Sequence, residues 1–302
     1  MEPREELTEK FSLNPGVQFC LDPIIGVILQ ITSKRSFCEI SLFGGQVLCW
    51  RPINQEHEVL WKPRADKYAR GRAIRGGVPI CWPWFGTHPA KQNFPGHGYA
   101  RITNWKLASI DEGGDGVTEV RLILGDSDLA SSYWRYGVSL ELKVTIGSTL
   151  DIELTTHNRG MQEIEFTEGL HTYFQVSDIS NVEILGLEGA DYIDLVNQHE
   201  SRTQCGAISF DGEVGKIFLE NYATCIIRDE GLKRRISIEK SGSKSTAVWN
   251  PGFQIASKMD DLGSLGWRNM VCVESANTLT DKITLAGNHS HNHHVIYSVS
   301  PL

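Results

Sequence analysis

Strict alternation of apolar and polar residues over 136–147 is the feature that most limits what this chain can become. Val138, Leu140, Leu142, Val144 and Ile146 fall on one side and Ser139, Glu141, Lys143 and Thr145 on the other. That is the period of a strand with one buried face, and no helix can share it. The rhythm resumes after Gly147-Ser148, with Leu150, Ile152 and Leu154 set against Asp151, Glu153 and Thr155. Two such runs joined by a tight polar turn make an antiparallel β-hairpin. Similar runs occupy 119–124, 226–228, 235–239 and 295–299, with shorter β-rich stretches at 25–31, 37–42 and 46–51. Turn signals at Gly44-Gly45, 112–116, 229–231 and 241–243 separate them, at the roughly ten-residue spacing of a sandwich. The expected fold is therefore all-β, a large antiparallel β-sandwich with few short helices. Helical candidates are confined to 126–134, where Asp and Ser stand at capping positions, and to about one turn at 260–266.

At 302 residues the chain is long enough for two domains, but no Pro/Ser-rich linker, low-complexity stretch or repeat divides it. We read 20–300 as one domain and 1–19 as an N-terminal extension. The formal charge of −8 argues against a clustered basic face of the kind that nucleic acid or an anionic membrane demands. A small anionic ligand needs only a local group of arginines, acting within the screening distance. Seven cysteines, odd in number and without CxxC spacing, read as reduced thiols in mostly apolar runs. With an acidic N-terminus that lacks the apolar core of a signal peptide, and no apolar run of the ~18 residues a membrane helix needs, the expected location is the cytoplasm.

Residues 70–101 break the pattern. They carry Arg70, Arg72 and Arg75 ahead of Gly76-Gly77, then Trp82, Trp84, Phe85, Phe94 and Tyr99, and end on Arg101. A segment this rich in aromatics and poor in periodicity is functional, not disordered. Guanidinium groups beside glycine suit a phosphate or carboxylate, although each arginine could equally serve a surface ion pair. The aromatics suit either the apolar face of a sugar ring or a hydrophobic plug at one end of the sandwich. His171 lies in a strand-like run, and Glu274 interrupts the apolar run 271–277. A carboxylate there is costly if buried and unpaired, so it is either exposed or held for chemistry. The histidines at 289, 291, 293 and 294 have no neighbouring Cys or carboxylate set in sequence, so no physiological metal site is expected there.

Five motifs then coincide. Arg75-Gly-Gly-Val-Pro-Ile-Cys-Trp-Pro-Trp-Phe-Gly86, His97-Gly-Tyr-Ala-Arg101 with Trp105, Leu170-His-Thr-Tyr-Phe174, Val248-Trp-Asn-Pro-Gly252 and Val271-Cys-Val-Glu-Ser275 occur in that order. Together they closely resemble the glucose-6-phosphate 1-epimerase family, the hexose-6-phosphate mutarotases of the aldose 1-epimerase superfamily. The resemblance implies a supersandwich fold and no cofactor or metal. It also implies a sugar phosphate as the small-molecule partner, and we expect a monomer. It makes His171 the general acid and Glu274 the general base, and one acid and one base on opposite sides of the anomeric centre suffice for the reaction. Arg75 and Arg101 become substrate-binding groups facing the phosphate, and His97 a second active-site histidine. Two positions depart from the family pattern: Gly96 stands where Gln is expected, and Gly215 where an Asp that binds sugar hydroxyls is expected. Asp211 or Glu213 would have to stand in for that Asp.

Overall fold

Hairpins form where the alternation asks for them. The computed structural model describes residues 3–11, 14, 16–125, 133–263 and 265–302. Strands Val138–Ile146 and Leu150–Asn158 pair antiparallel, Ile146 opposite Leu150 and Val138 opposite Asn158. All five apolar residues on the expected face of the first strand are buried. The two strands sit inside an eight-stranded sheet ordered Val182–Leu185, Cys225–Asp229, Arg234–Ser241, Ser290–Pro301, Leu150–Asn158, Val138–Ile146, Thr118–Leu124 and Lys106–Glu112. Every alternating run named above lies in this sheet or in a four-stranded meander, Val17–Asp22, Gly26–Thr32, Ser36–Ser41 and Gln46–Pro52.

A second eight-stranded sheet carries the motifs. Its order is Glu200–Thr203, Asp191–Asp194, Val214–Phe218, Ser245–Asn250, Met270–Asn277, Glu168–Leu170 and Ile80–Cys81, with Tyr173–Gln175 also paired to Met270–Asn277. All eight residues of Met270–Asn277 are buried, because this sheet is covered on both faces. One face, including Leu170, Phe174, Val248, Val271 and Val273, joins a core cluster that runs from Leu7 to Tyr297. The opposite face presents Tyr173, Met270 and Cys272 to a smaller cluster with Trp61, Ala256 and Leu262. The chain crosses between the large sheets at Gly242, between Arg234–Ser241 and Ser245–Asn250. There φ is +72° and an added Cβ would meet the Asn292 carbonyl oxygen at 1.8 Å, so only glycine makes the crossing.

Helix is scarce. Of the expected 126–134 helix, residues 126–132 lie outside the described residues. At 260–262 the chain makes a turn, followed by a short 3-10 segment at Gly266–Asn269. Helix Gly252–Ala256 and helix Arg4–Lys10 carry no periodic signal strong enough to read. The latter belongs to the segment read as an extension, yet its Leu7 is fully buried in the main core. Strand Val17–Asp22, which starts within the same segment, pairs along its length with Gly26–Thr32.

Candidate active site

Two short strands, Glu168–Leu170 and Tyr173–Gln175, flank a break at His171-Thr172, and both pair with Met270–Asn277. Backbone bonds fix the break: His171 N–H donates to the Pro79 carbonyl (3.0 Å), and Tyr173 N–H to that of Gly77 (2.9 Å). Alternation then sends Thr172 into the core, where its hydroxyl meets the Tyr297 hydroxyl at 2.6 Å, and leaves His171 and Tyr173 on the site face. Cys272 and Glu274 share that face on the neighbouring strand. His171 Nδ1 lies 3.4 Å from Glu274 Oε1, in side chains only 10% and 3% exposed. The imidazole and the carboxylate are thus neighbours. Burial pushes the Glu274 carboxyl well above its ordinary value, with Arg101 opposing. Burial, followed by His97, Arg101 and Arg75, holds His171 well below its own. Both therefore favour their uncharged forms.

Glycine-rich backbone brings the arginine loop against these strands. Gly77 N–H donates to the Trp61 carbonyl, which holds Arg75 beside Tyr173. Arg75 Nη1 donates to the Tyr173 hydroxyl (3.0 Å), and its Nε lies 2.8 Å from an Asp261 carboxylate oxygen. Burial works against this charge, but Tyr173 and Asp261 outweigh it and keep the guanidinium firmly protonated. Tyr173 also stacks on His171, with ring centroids 4.9 Å apart and planes 8° apart, so one side chain touches both Arg75 and His171. Arg72 and Lys258 join Arg75 around a cavity of about 530 Å³. Arg70 turns away to the Pro23 carbonyl.

His97 closes the other side, its ring 5.2 Å from that of His171. Its backbone N–H donates to the Gly86 carbonyl, and its Nδ1 accepts from Gly86 N–H (3.2 Å). With Nδ1 an acceptor, the neutral ring carries its proton on Nε2. Burial, then Arg101 and Arg75, pushes its pKa down to about 3, so the ring stays neutral, with Nε2 able to donate. Arg101 donates from Nη2 to the Gly96 carbonyl (2.7 Å). Its charge acts on Glu274 and, together with that of Arg75, on His97 and His171.

The aromatics of the loop divide. Trp82, Trp84 and Tyr99 are buried, and Phe94 packs on the same core cluster, so these four form the plug. Phe85 alone faces the site, against His97 and His171. It lies over Gly169, where a Cβ would approach its ring to 2.7 Å. Three further residues, Tyr173, Trp249 and Asp261, join the site through contacts between distant segments. Trp249 stands edge-on to both His171 and Tyr173, and only strand pairing puts it there. Gly215 lies opposite Trp249, which lies opposite Cys272, so its Cα belongs to the site face. Asp211 and Glu213 are exposed on the preceding turn. The C-terminal histidines do meet carboxylates, supplied by distant strands: His291 Nε2 is 2.9 Å and His293 Nδ1 3.3 Å from Glu168, and His294 is 2.8 Å from Asp151.

A buried imidazole–carboxylate pair walled by aromatics and approached by arginines, on a twisted antiparallel sandwich, defines an acid–base enzyme of the mutarotase kind. Comparison with known proteins agrees. The chain belongs to the aldose 1-epimerase family, which matches residues 28–298. A relative from Escherichia coli K12 named "putative glucose-6-phosphate 1-epimerase" is 34% identical over 278 residues, covering 87% of this chain and 92% of its own. One of the same name from Cenchrus ciliaris is 36% identical over 259 residues, covering 82% and 77%. The crystal structure of a "putative mutarotase" from Salmonella typhimurium superposes with a TM-score of 0.89 at 29% identity, covering 98% of this chain and 100% of that one.

Proposed function

We propose that the chain interconverts the α and β anomers of a hexose 6-phosphate, glucose 6-phosphate first among them. The observation that carries this is the contact between His171 and Glu274. The two oxygens that exchange protons in mutarotation, O1 and O5, are both bonded to C1, so an acid and a base serving them must be neighbours. Glu274 takes the proton from O1 while His171 gives one to O5, and the C1–O5 bond breaks to leave an open-chain aldehyde. Rotation about C1–C2 and closure by the reverse transfers yield the other anomer. The pair ends with the single proton it began with, so the cycle calls for no cofactor. Ring opening uses the carboxylate–imidazolium form, which has the same proton count as the uncharged pair. Moving one proton across the 3.4 Å gap converts one into the other.

Arg101 favours the carboxylate form of Glu274. His97, donating from Nε2, holds a sugar oxygen near the ring. Arg75 receives the phosphate, with Arg72 and Lys258 lining the adjoining cavity. The name carried by the Escherichia coli and Cenchrus ciliaris relatives supports this substrate class. Every group invoked comes from one chain, so a monomer suffices. Seven unpaired cysteines support a reducing compartment, the cytoplasm. Among the described residues no helix is long and apolar enough to cross a membrane.

Anomer exchange followed by NMR tests the assignment. His171→Asn and Glu274→Gln should each lose at least ~100-fold in rate, the scale of a positioned acid or base. Arg75→Ala should lose activity with glucose 6-phosphate and spare glucose. Wild-type exchange at the buffer rate would overturn the enzymatic reading, unchanged rates in both acid–base variants the residue roles, and an equal loss on both sugars the phosphate site.

A further inference from the structure

The reaction leaves one member of the site face without a part. Cys272 lies two residues before Glu274, so both side chains point the same way, and its strand partner is Tyr173, two residues after His171. A ring nitrogen of His171, the thiol sulfur of Cys272 and a carboxylate oxygen of Glu274 consequently lie within 4.8 Å of one another. Two of these residues carry buried donor atoms with no hydrogen-bond partner, His171 Nδ1 and Glu274 Oε2. Nitrogen, thiolate sulfur and carboxylate oxygen are the three donors that zinc accepts, and three protein ligands with an open fourth position make an open zinc centre. The thiolate disfavours magnesium and calcium, which take oxygen.

We propose that His171, Cys272 and Glu274 form an inhibitory site for a borderline-soft divalent cation, Zn²⁺ foremost, that excludes the sugar. The ion replaces the protons of the thiol and the carboxyl, which leave to solvent, and it binds neutral imidazole through Nδ1. It thereby occupies the atoms that exchange protons with O1 and O5. The inhibitory consequence rests on the acid–base reading above, whereas metal binding itself does not. The histidines at 289–294 are a separate metal-binding risk, and the thiolate distinguishes the two.

Co²⁺ titrated into the full-length protein should give a thiolate-to-metal charge-transfer band in the near ultraviolet, which Cys272→Ser abolishes and saturating glucose 6-phosphate suppresses. Zn²⁺ should slow wild-type anomer exchange competitively with the sugar phosphate. Cys272→Ser, with each protein's rate normalised to its own zinc-free value, should need at least ~10-fold more zinc, since even outer-shell changes alter metal affinity on that scale. Cys272→Ala repeats the comparison should the serine variant fold poorly. No band in the wild type, or a band that survives both substitutions, would overturn the proposal. So would equal zinc sensitivity in wild type and variants, which would move the ion to the C-terminal histidines. The cobalt band is read without turnover, so a protein that bound cobalt through Cys272 but exchanged no anomers would overturn the function and leave the site standing.

Discussion

Tyr173 does two jobs with different atoms. Its hydroxyl accepts from Arg75, and its ring face lies flat on His171. Phenylalanine removes the first and keeps the second. Tyr173→Phe should therefore raise KM for glucose 6-phosphate by roughly tenfold, since a hydrogen bond to a charged group contributes about 1.5–3 kcal/mol, and leave kcat nearly unchanged. KM for glucose should not move. Tyr173→Leu also removes the stacked ring, so kcat should fall with both sugars. Saturation kinetics on the two sugars separate these outcomes, and a Phe variant that lost kcat equally on both would show that the hydroxyl serves the chemistry itself. His171, Glu274, Arg75, His97 and Arg101 are legible as candidates because they sit inside dense local motifs. Tyr173 stands in the same motif as His171, yet its role was hidden, because the Arg75 contact depends on the backbone bond from Tyr173 to Gly77. The contact between His171 and Glu274 was hidden for a related reason: no spacing along the chain reports the distance between adjacent strands.

The Glu274 strand is held from behind by a polar layer inside the core. Glu168 is fully buried among His291, His293 and Asn277, and His293 Nε2 in turn meets the Ser275 hydroxyl at 2.8 Å. Ser275 also meets Ser243 at 2.6 Å, so the side chain next to Glu274 is pinned to one further strand and a turn. Burial disfavours the Glu168 charge, but hydrogen bonds from His291 and His293 prevail and lower its pKa to about 2. A depressed folded-state value means that Glu168 stabilises the protein fully above its unfolded pKa of about 4.3 and less as pH falls from there toward 2. Glu168→Gln should cost on the order of 3 kcal/mol at pH 7, as breaking one side of a buried pair does, and should flatten the loss of stability below pH 4. Urea melts at pH 7 and pH 3.5 check both, and equal destabilisation at the two pH values would contradict the ionic role. The same element shows why half of the fold was easy to read. Val138–Ile146 is alternately buried and half-exposed, with few exceptions, and announces itself by period two. Met270–Asn277 is buried on both faces, so its sequence has no alternation, and its carboxylate was the sole sign that the strand does more than pack.

Over the whole molecule, charge and substrate conflict at long range and agree at short range. The chain carries a net −8, whereas Arg75, Arg72 and Lys258 surround the cavity beside the site, with Asp260 and Asp261 close by. An approaching sugar phosphate is repelled by the overall field before the local cations attract it. The two contributions are screened over different distances, because the Debye length is about 30 Å at 0.01 M salt, 10 Å at 0.1 M and 3 Å at 1 M. Raising salt from 0.01 to 0.1 M removes mostly the distant repulsion, so kcat/KM for glucose 6-phosphate should rise. Between 0.1 and 1 M the arginine contacts are screened in turn, and kcat/KM should fall again. Glucose, which is uncharged, should show neither limb, and Arg75→Ala should keep the rise while blunting the fall. Initial rates of anomer exchange across this range decide the matter. A steady decline from the lowest salt would mean that the cations of the loop govern the approach at every distance, and that the acidic remainder of the surface lies too far from the entrance to be felt.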